Sequence, residues 1–293
     1  MRYLIYILFS ISIHAQSIEL GYVTPESEGS LQKCFDSQYT CKLTKLTYDI
    51  DTTLIVRISK IIDGNNATLL LKNNVDVITL EKKIKPKEQL RGVKIYNLNI
   101  NTTQVAHNKA AIRFNVNSRI MDVVLRNILI TGKKETLYTE GMGTKALAIE
   151  SENLSDYDPF LHNLILDNVK TEWCAEGLYI PHNGSLWVNV ISGKLTTWGN
   201  KRSIFNEIAD VIDLDLTMQF AAVLSEEEKD FSAITLKKYA RNTNIIYMPF
   251  DTQLKEGDKY YKPKLQDINT TFTKSNGKTY KSRNNVKYKY VAQ

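Results

Sequence analysis

Apolar residues along this chain alternate in short runs, and at several points the alternation skips one place. Around Asn97 the apolar positions are Val93, Ile95, Leu98 and Ile100; around Asn127 they are Val123, Leu125, Ile128 and Ile130. The same phase returns around Asn168 with Leu164, Leu166 and Val169, and more weakly around Asn189 with Trp187 and Val190. A variant centres on Asp213 in "DVIDLDLT". Period-two alternation marks a strand. A skip of one place marks a sharp bend between two strands whose apolar sides still face one interior. Asparagine suits such a bend because it tolerates left-handed backbone and bonds neighbouring peptide groups.

These anchors lie 30, 41, 21 and 24 residues apart. Each one after the first follows another short strand: "AAIRFNV", "ALAIESE", "GLYIPH" and "RSIFNEI". Three strands per rung, repeated, fit a parallel β-solenoid better than a hairpin sheet. An antiparallel β-sandwich also has short strands and turns, but it gives no reason for a bend that returns with the same internal phase. Helical periodicity is nearly absent. The best helical candidate is Glu26 to Asp36.

The three-strand rung with an asparagine bend resembles the right-handed parallel β-helix of the pectin-lyase superfamily. The entry segment is similar too: "LTYDIDTTLIVRISKIIDGNNATLLLKNN" leads into a turn at Asp63-Gly64. The resemblance covers roughly Pro25 to Phe250. It implies an all-β, right-handed parallel β-helix with a short N-terminal capping helix. It also implies a long polysaccharide as ligand or substrate. The subfamily strings "NTD", "DD", "GHG", "RIK" and "WiDH" are absent, so no catalytic set comes with the resemblance, and function has to be argued from a site.

In that superfamily the glycan-facing sheet is usually the strand before the asparagine bend. Alternation predicts its outward residues. Stacking the rungs puts Arg113, Ala148, Tyr179 and Phe205 in one column and Asn115, Glu150, Pro181 and Glu207 in the next, with His182 at a turn. Aromatic rings suit the apolar faces of sugars, and carboxylates can do acid–base work at a glycosidic bond. Glu150 and Glu207 would stand about 10 Å apart, near the upper end of an inverting pair's separation. This nominates Glu150, Glu207 and Arg113 as catalytic candidates and Asn115, Tyr179, His182 and Phe205 as substrate contacts. Trp173 and Trp198, in loops after bends with Glu172 and Glu176 nearby, are further substrate-contact candidates. Exposed acids on a strand are, however, commonly just solvated surface. Asp210, Asp213 and Asp215 crowd together as a calcium site would require, but interleaved apolar residues read as surface first. No other metal or cofactor is expected.

The ends of the chain refine this picture. "MRYLIYILFSISIHAQS" has Arg2, an apolar run and the small Ala15, the layout of a secretory signal peptide over residues 1–15. That places the protein outside the cytoplasm: secreted, periplasmic or on the cell surface, with no membrane span after signal removal. In that setting Cys34 and Cys41 can pair, leaving Cys174 as an odd buried thiol. The β-helix domain is expected over 16–250, and a tail over 251–293. From Lys255 onward ten Lys/Arg oppose three acids, while residues 1–254 sum to −1. This basic, tyrosine-rich tail suits polyanions such as acidic glycans. It can also wrap the end of the domain or join neighbouring chains in a homo-oligomer. Nucleic acid is not expected for an exported protein. The reading is a polysaccharide-binding adhesion or phage-spike-like module. The alternatives are a polysaccharide lyase or glycoside hydrolase with a non-standard site, and a structural exported protein that assembles through its tail.

Overall fold

A computed structural model describes residues 21–82, 89–139, 141–152, 159–182, 186–209 and 211–221, and the strands Ser232–Leu236, Asn244–Tyr247, Lys264–Gln266, Thr270–Thr273, Thr279–Lys281 and Val286–Tyr290. The signal segment at 1–15 and Asp210 lie outside the described residues.

The chain is all-β and builds long parallel sheets, as a β-helix requires. The long sheet runs through Ile61–Asp63, Lys94–Asn101, Arg119–Thr131, Phe160–Glu172, Val190–Asn200 and Val211–Ala221. The short sheet runs through Leu54–Val56, Ile78–Glu81, Ala110–Asn115, Lys145–Glu150, Glu176–Ile180, Arg202–Asn206 and Ser232–Leu236. From Lys94 to Gln266 the described strands pass from one sheet to the other and back, so each strand pairs with the strand one circuit earlier.

In-register parallel pairing stacks like upon like. On the short sheet Leu54, Ile78, Ile112, Leu147, Leu178 and Ile204 form one inward column. On the long sheet Leu98, Ile128, Val169, Leu195 and Leu216 form another. All these side chains are buried. Burial of this apolar surface is the main force holding the sheets together.

The bends fall at Asn97, Asn127 and Asn168, each left-handed with φ of 52, 52 and 60°. Their side chains form a ladder. Asn168 Nδ2 donates to Asn127 Oδ1 at 3.0 Å, and Asn127 Nδ2 to Asn97 Oδ1 at 2.9 Å. Asn97 Nδ2 reaches Asp63 Oδ1 at 3.3 Å. The Asp63-Gly64 turn is required by close approach: a Cβ on Gly64 would lie 2.5 Å from the Asn97 carbonyl oxygen.

Asn189 and Asp213 do not continue this ladder, contrary to the sequence expectation. The register shifts between Leu166 and Val169, and the strand opposite crosses the bend one residue shorter. The left-handed residue there is Gly193, with φ of 114°, whose position would put a Cβ 2.1 Å from Leu166 O. Pairing of Leu161 with Val188 and of Leu164 with Ile191 sets Asn189 opposite His162, ahead of the bend, and Asp213 pairs with Ser192.

The expected helix over Glu26 to Asp36 is two short helices, Pro25–Glu28 and Leu31–Asp36. They are broken at Gly29, which is left-handed with φ of 82°, and restarted by Ser30, whose side chain accepts from Lys33 N. Cys34 and Cys41 are disulfide-bonded and fully buried. Lys60 Nζ donates to the carbonyls of Ser37 and Tyr39 inside the closed loop. Burial pushes the Lys60 ammonium down to about 8 against the opposing charges of Glu28 and Asp36. Replacing both cysteines by serine is expected to cost about 2–3 kcal/mol, the loop-closure value for a crosslink this short. Urea unfolding with and without reductant measures it; equal midpoints would show that the loop holds itself closed. Cys174 is buried, and burial pushes its thiol up to about 12, which makes it inert.

Of the tail's described strands, Lys264–Gln266 extends the short sheet and the others extend the long one. Val286–Tyr290 pairs in parallel with Asn244–Tyr247, Thr270–Thr273 lies beyond it, and Thr279–Lys281 closes the edge antiparallel. Among the described residues no helix is long and apolar enough to cross a membrane.

Candidate functional site

The short sheet carries the first predicted column and, of the second, the pairing of Asn115 with Glu150. Register pairs Arg113 with Ala148, Ala148 with Tyr179, and Tyr179 with Phe205. Asn115 pairs with Glu81 on one side and Glu150 on the other. Ala148 is fully buried between its larger neighbours, and Asn115 is only 5% exposed. His182 is exposed at its turn.

A third column was not anticipated. Lys145, Glu176 and Arg202 are also in register on consecutive strands. Simple alternation would turn them inward with Leu147, Leu178 and Ile204. On each strand a small–large doublet, Ala146-Leu147, Gly177-Leu178 and Ser203-Ile204, has both members interior. A Cβ on Gly177 would meet Ser203 O at 2.5 Å, so packing is tight there. The residue before each doublet instead meets the outward side, Lys145 over Tyr179, Arg202 over Phe205 and Glu176 on Arg202. The doublet and the charged residue before it are the sequence signal that could have exposed this column.

Ion pairing consumes most of the nominated chemistry. Arg113 reaches Glu152 Oε1 at 2.7 Å, Glu150 Oε2 at 3.1 Å and Asp76 Oδ2 at 3.5 Å. Burial pulls its pKa down, but the three carboxylates outweigh that and the net shift is upward. The hydrogen bond from Arg113 in turn holds Glu152 below the usual carboxylate range. The other oxygen of Glu150 pairs with Lys145 at 3.3 Å. Glu207 Oε2 accepts the His182 backbone N–H at 2.6 Å and so ties off the turn. Tyr179 and Phe205 stack on each other with centroids 5.3 Å apart, Lys145 Nζ lies 4.3 Å over Tyr179, and Arg202 lies 4.4 Å over Phe205. These ring faces are engaged within the protein.

Glu176 differs from the other acids. It is 8% exposed; Oε1 accepts from Arg202 Nη2 at 2.8 Å, while Oε2 is buried with no partner. Burial pushes its carboxyl up to about 7, against the opposing pull of Arg202, Lys145 and Lys201.

Trp173 and Trp198 come together where the long strands end. Their rings lie 6.5 Å apart and tilted by 35°. Trp173, left-handed with φ of 52°, lays its ring over Gly199, where a Cβ would collide at 2.5 Å. Lys134 lies 4.7 Å over Trp173, and Lys170 lies 5.2 Å over Trp198 while pairing with Glu172 at 2.6 Å. Trp198 is 44% exposed. The turn joining this pair to the short sheet is pinned by Asn200, which bonds Cys174 N at 2.9 Å and Thr171 Oγ1 at 2.6 Å. The same turn leads directly to Glu176.

On the long sheet the short crossing at Gly193 opens a depression of about 410 Å³, lined by Asp167, Asp213, Asp215 and Lys194 among others. Asp167 is paired with Arg126 at 2.6 Å. Among the described residues no three His, Cys, Asp or Glu side chains converge as a metal site would need. No family model, curated protein or solved structure matches the chain.

Proposed function

We propose that this chain is an exported right-handed parallel β-helix, with three strands per rung and the Pro25–Asp36 helices as its N-terminal cap, and that it binds acidic polysaccharide without cleaving it. The observation that carries this reading is the Trp198 ring, backed by Trp173 and flanked by Lys170 and Lys134. The exposed part of the indole suits the C–H face of a pyranose, and the Lys134 ammonium over Trp173 suits a uronic-acid carboxylate, Lys170 being already paired with Glu172. A long ligand matches the repeat, because each circuit presents its surface about 4.8 Å from the last. Binding fits better than turnover. Glu150 and Glu207, the acids nominated for catalysis, are both held by partners within the protein. An adhesion or spike-like module uses such a surface.

Titration calorimetry with polygalacturonate and with neutral dextran tests this. Polygalacturonate is expected to bind and dextran not, with affinity falling as salt is added. Trp198→Ala is expected to weaken binding about tenfold or more, as loss of an aromatic anchor does, with an unchanged circular dichroism spectrum. Equal affinity in wild type and variant would remove the platform from the argument. Unsaturated sugars or new reducing ends in the mixture would replace binding by catalysis.

A further inference from the structure

The long sheet carries a column of side chains that the Trp198 platform does not use. Pairing stacks Gln89, Arg119, Phe160 and Trp187 on four successive strands, at the ~4.8 Å spacing of a sheet. Trp187 opens the stretch of chain that ends near Trp198, and the left-handed Gly193 lies between the two.

Trp187 is 61% exposed, more than Trp198. Single apolar residues on a surface are ordinary, but this one is not isolated. Phe160, partly buried, is its register partner, and His162 stacks on Phe160 with ring centroids 5.5 Å apart. Its position is also fixed. The Trp187 N–H donates to Pro159 O at 2.8 Å and the Asn189 N–H to Leu161 O at 2.9 Å, and both flanking residues, Leu186 and Val188, are buried. The indole therefore stands on a locked strand with most of its surface in solvent. Tyr179, Phe205, Trp173 and Trp198 all meet another ring or a cation. Among the described residues nothing of that kind lies against Trp187.

The charge beside this column is positive. Asp122 is taken on one oxygen by Arg91 at 2.6 Å and on the other by Asn163 Nδ2 at 2.9 Å. Arg119 is exposed and has no ion pair among the described residues. An indole takes the C–H face of a pyranose, a guanidinium takes a carboxylate through two parallel hydrogen bonds, and an amide takes hydroxyls. Those three groups stand in line here, with Phe160 continuing the apolar surface between Trp187 and Arg119.

We propose that Gln89, Arg119, Phe160 and Trp187 form a second sugar-binding platform, which takes an acidic oligosaccharide lying across the strands with a pyranose on Trp187 and a carboxylate on Arg119. The ligand class rests on the polysaccharide-binding reading, but the site shares no residue with the Trp198 platform. Two platforms at the two ends of one stretch of chain let a single molecule hold two glycan chains, or one long chain at two places, with the gain in avidity that double attachment brings.

Calorimetric titration of the full chain with trigalacturonate tests this in wild type, Trp187→Ala, Trp198→Ala and the double variant. Wild type is expected to show two sites, each single variant one, and the double variant none. Trp187→Ala is expected to weaken its site about tenfold or more. The circular dichroism spectrum should not change, because the side chain is on the surface. Trp187→Phe, which keeps an aromatic face, is expected to recover most of the loss. Arg119→Gln is expected to weaken the same site and to flatten its salt dependence. Loss of all binding in Trp198→Ala alone, or two undiminished sites in Trp187→Ala, overturns the second platform and leaves the first standing. Loss in Trp187→Ala with none in Trp198→Ala upholds the second platform and counts against the first. Absence of binding in wild type, or unchanged binding in the double variant, overturns both. Sedimentation is run alongside. A wild type that dimerises, and that Trp187→Ala makes monomeric, puts a second copy of the chain where the sugar was placed and overturns the proposal.

Discussion

Arg113→Met is expected to lower folding stability by about 3 kcal/mol at neutral pH, far more than loss of an exposed ion pair. The guanidinium and two of its partners, Asp76 and Glu150, are each no more than 20% exposed. Methionine fills the volume but leaves these carboxylates without their shared cation. Glu150 keeps Lys145 and Asp76 keeps the Ala110 backbone N–H at 2.9 Å, which holds the cost near the lower end for a broken buried pair. Arg113 keeps Glu152 in its charged form by lowering its pKa. That contribution is present above 4.5 and is lost as pH falls. The gap between variant and wild type should therefore narrow as pH falls below 4.5 through the lowered Glu152 value. Urea midpoints at neutral and acid pH measure both effects. A stable variant that has lost polysaccharide binding would show that Arg113 faces ligand rather than holding the sheet.

Asn127→Ala is expected to cost about 3 kcal/mol. Two ladder hydrogen bonds go, at roughly 1 kcal/mol each, and alanine must adopt left-handed backbone, at roughly 1–2 kcal/mol. Asn97 and Asn168 each lose a neighbour, so the effect is felt on three successive strands. Asn189→Ala, outside the ladder, is expected to change stability by about 0.5 kcal/mol or less, the range for ordinary surface substitutions. Thermal unfolding followed by circular dichroism separates the two. Equal losses would mean that the asparagines act only as polar surface.

The same pair shows what was legible in the chain. Apolar alternation identifies the strands, and the skipped place at Asn97, Asn127 and Asn168 identifies the bends, because both depend on residues adjacent in sequence. Register is not local. Asn189 stands opposite His162 rather than Asn168, although its surroundings imitate the bend, and only pairing with the previous strand reveals it. The outward column of Arg113, Tyr179 and Phe205 follows from alternation. The use of those side chains does not, because Arg113 meets Glu150 and Glu152 across 37 and 39 residues. Glu176 reads as a loop residue because it precedes a glycine. Its place in register between Lys145 and Arg202 is visible only when successive strands are laid side by side.

The ladder has a further consequence for how such a chain can change over generations. Asn97 and Asn127 are 30 residues apart and Asn127 and Asn168 are 41, yet both steps close with the same amide contact at 2.9 to 3.0 Å. The longer circuit includes the short 3-10 turn at Lys134–Tyr138, and the asparagines stay in step regardless. Insertions and deletions between strands thus leave the frame intact, so the loops can diversify while the scaffold is inherited unchanged. The surface that meets a partner can be rewritten one circuit at a time.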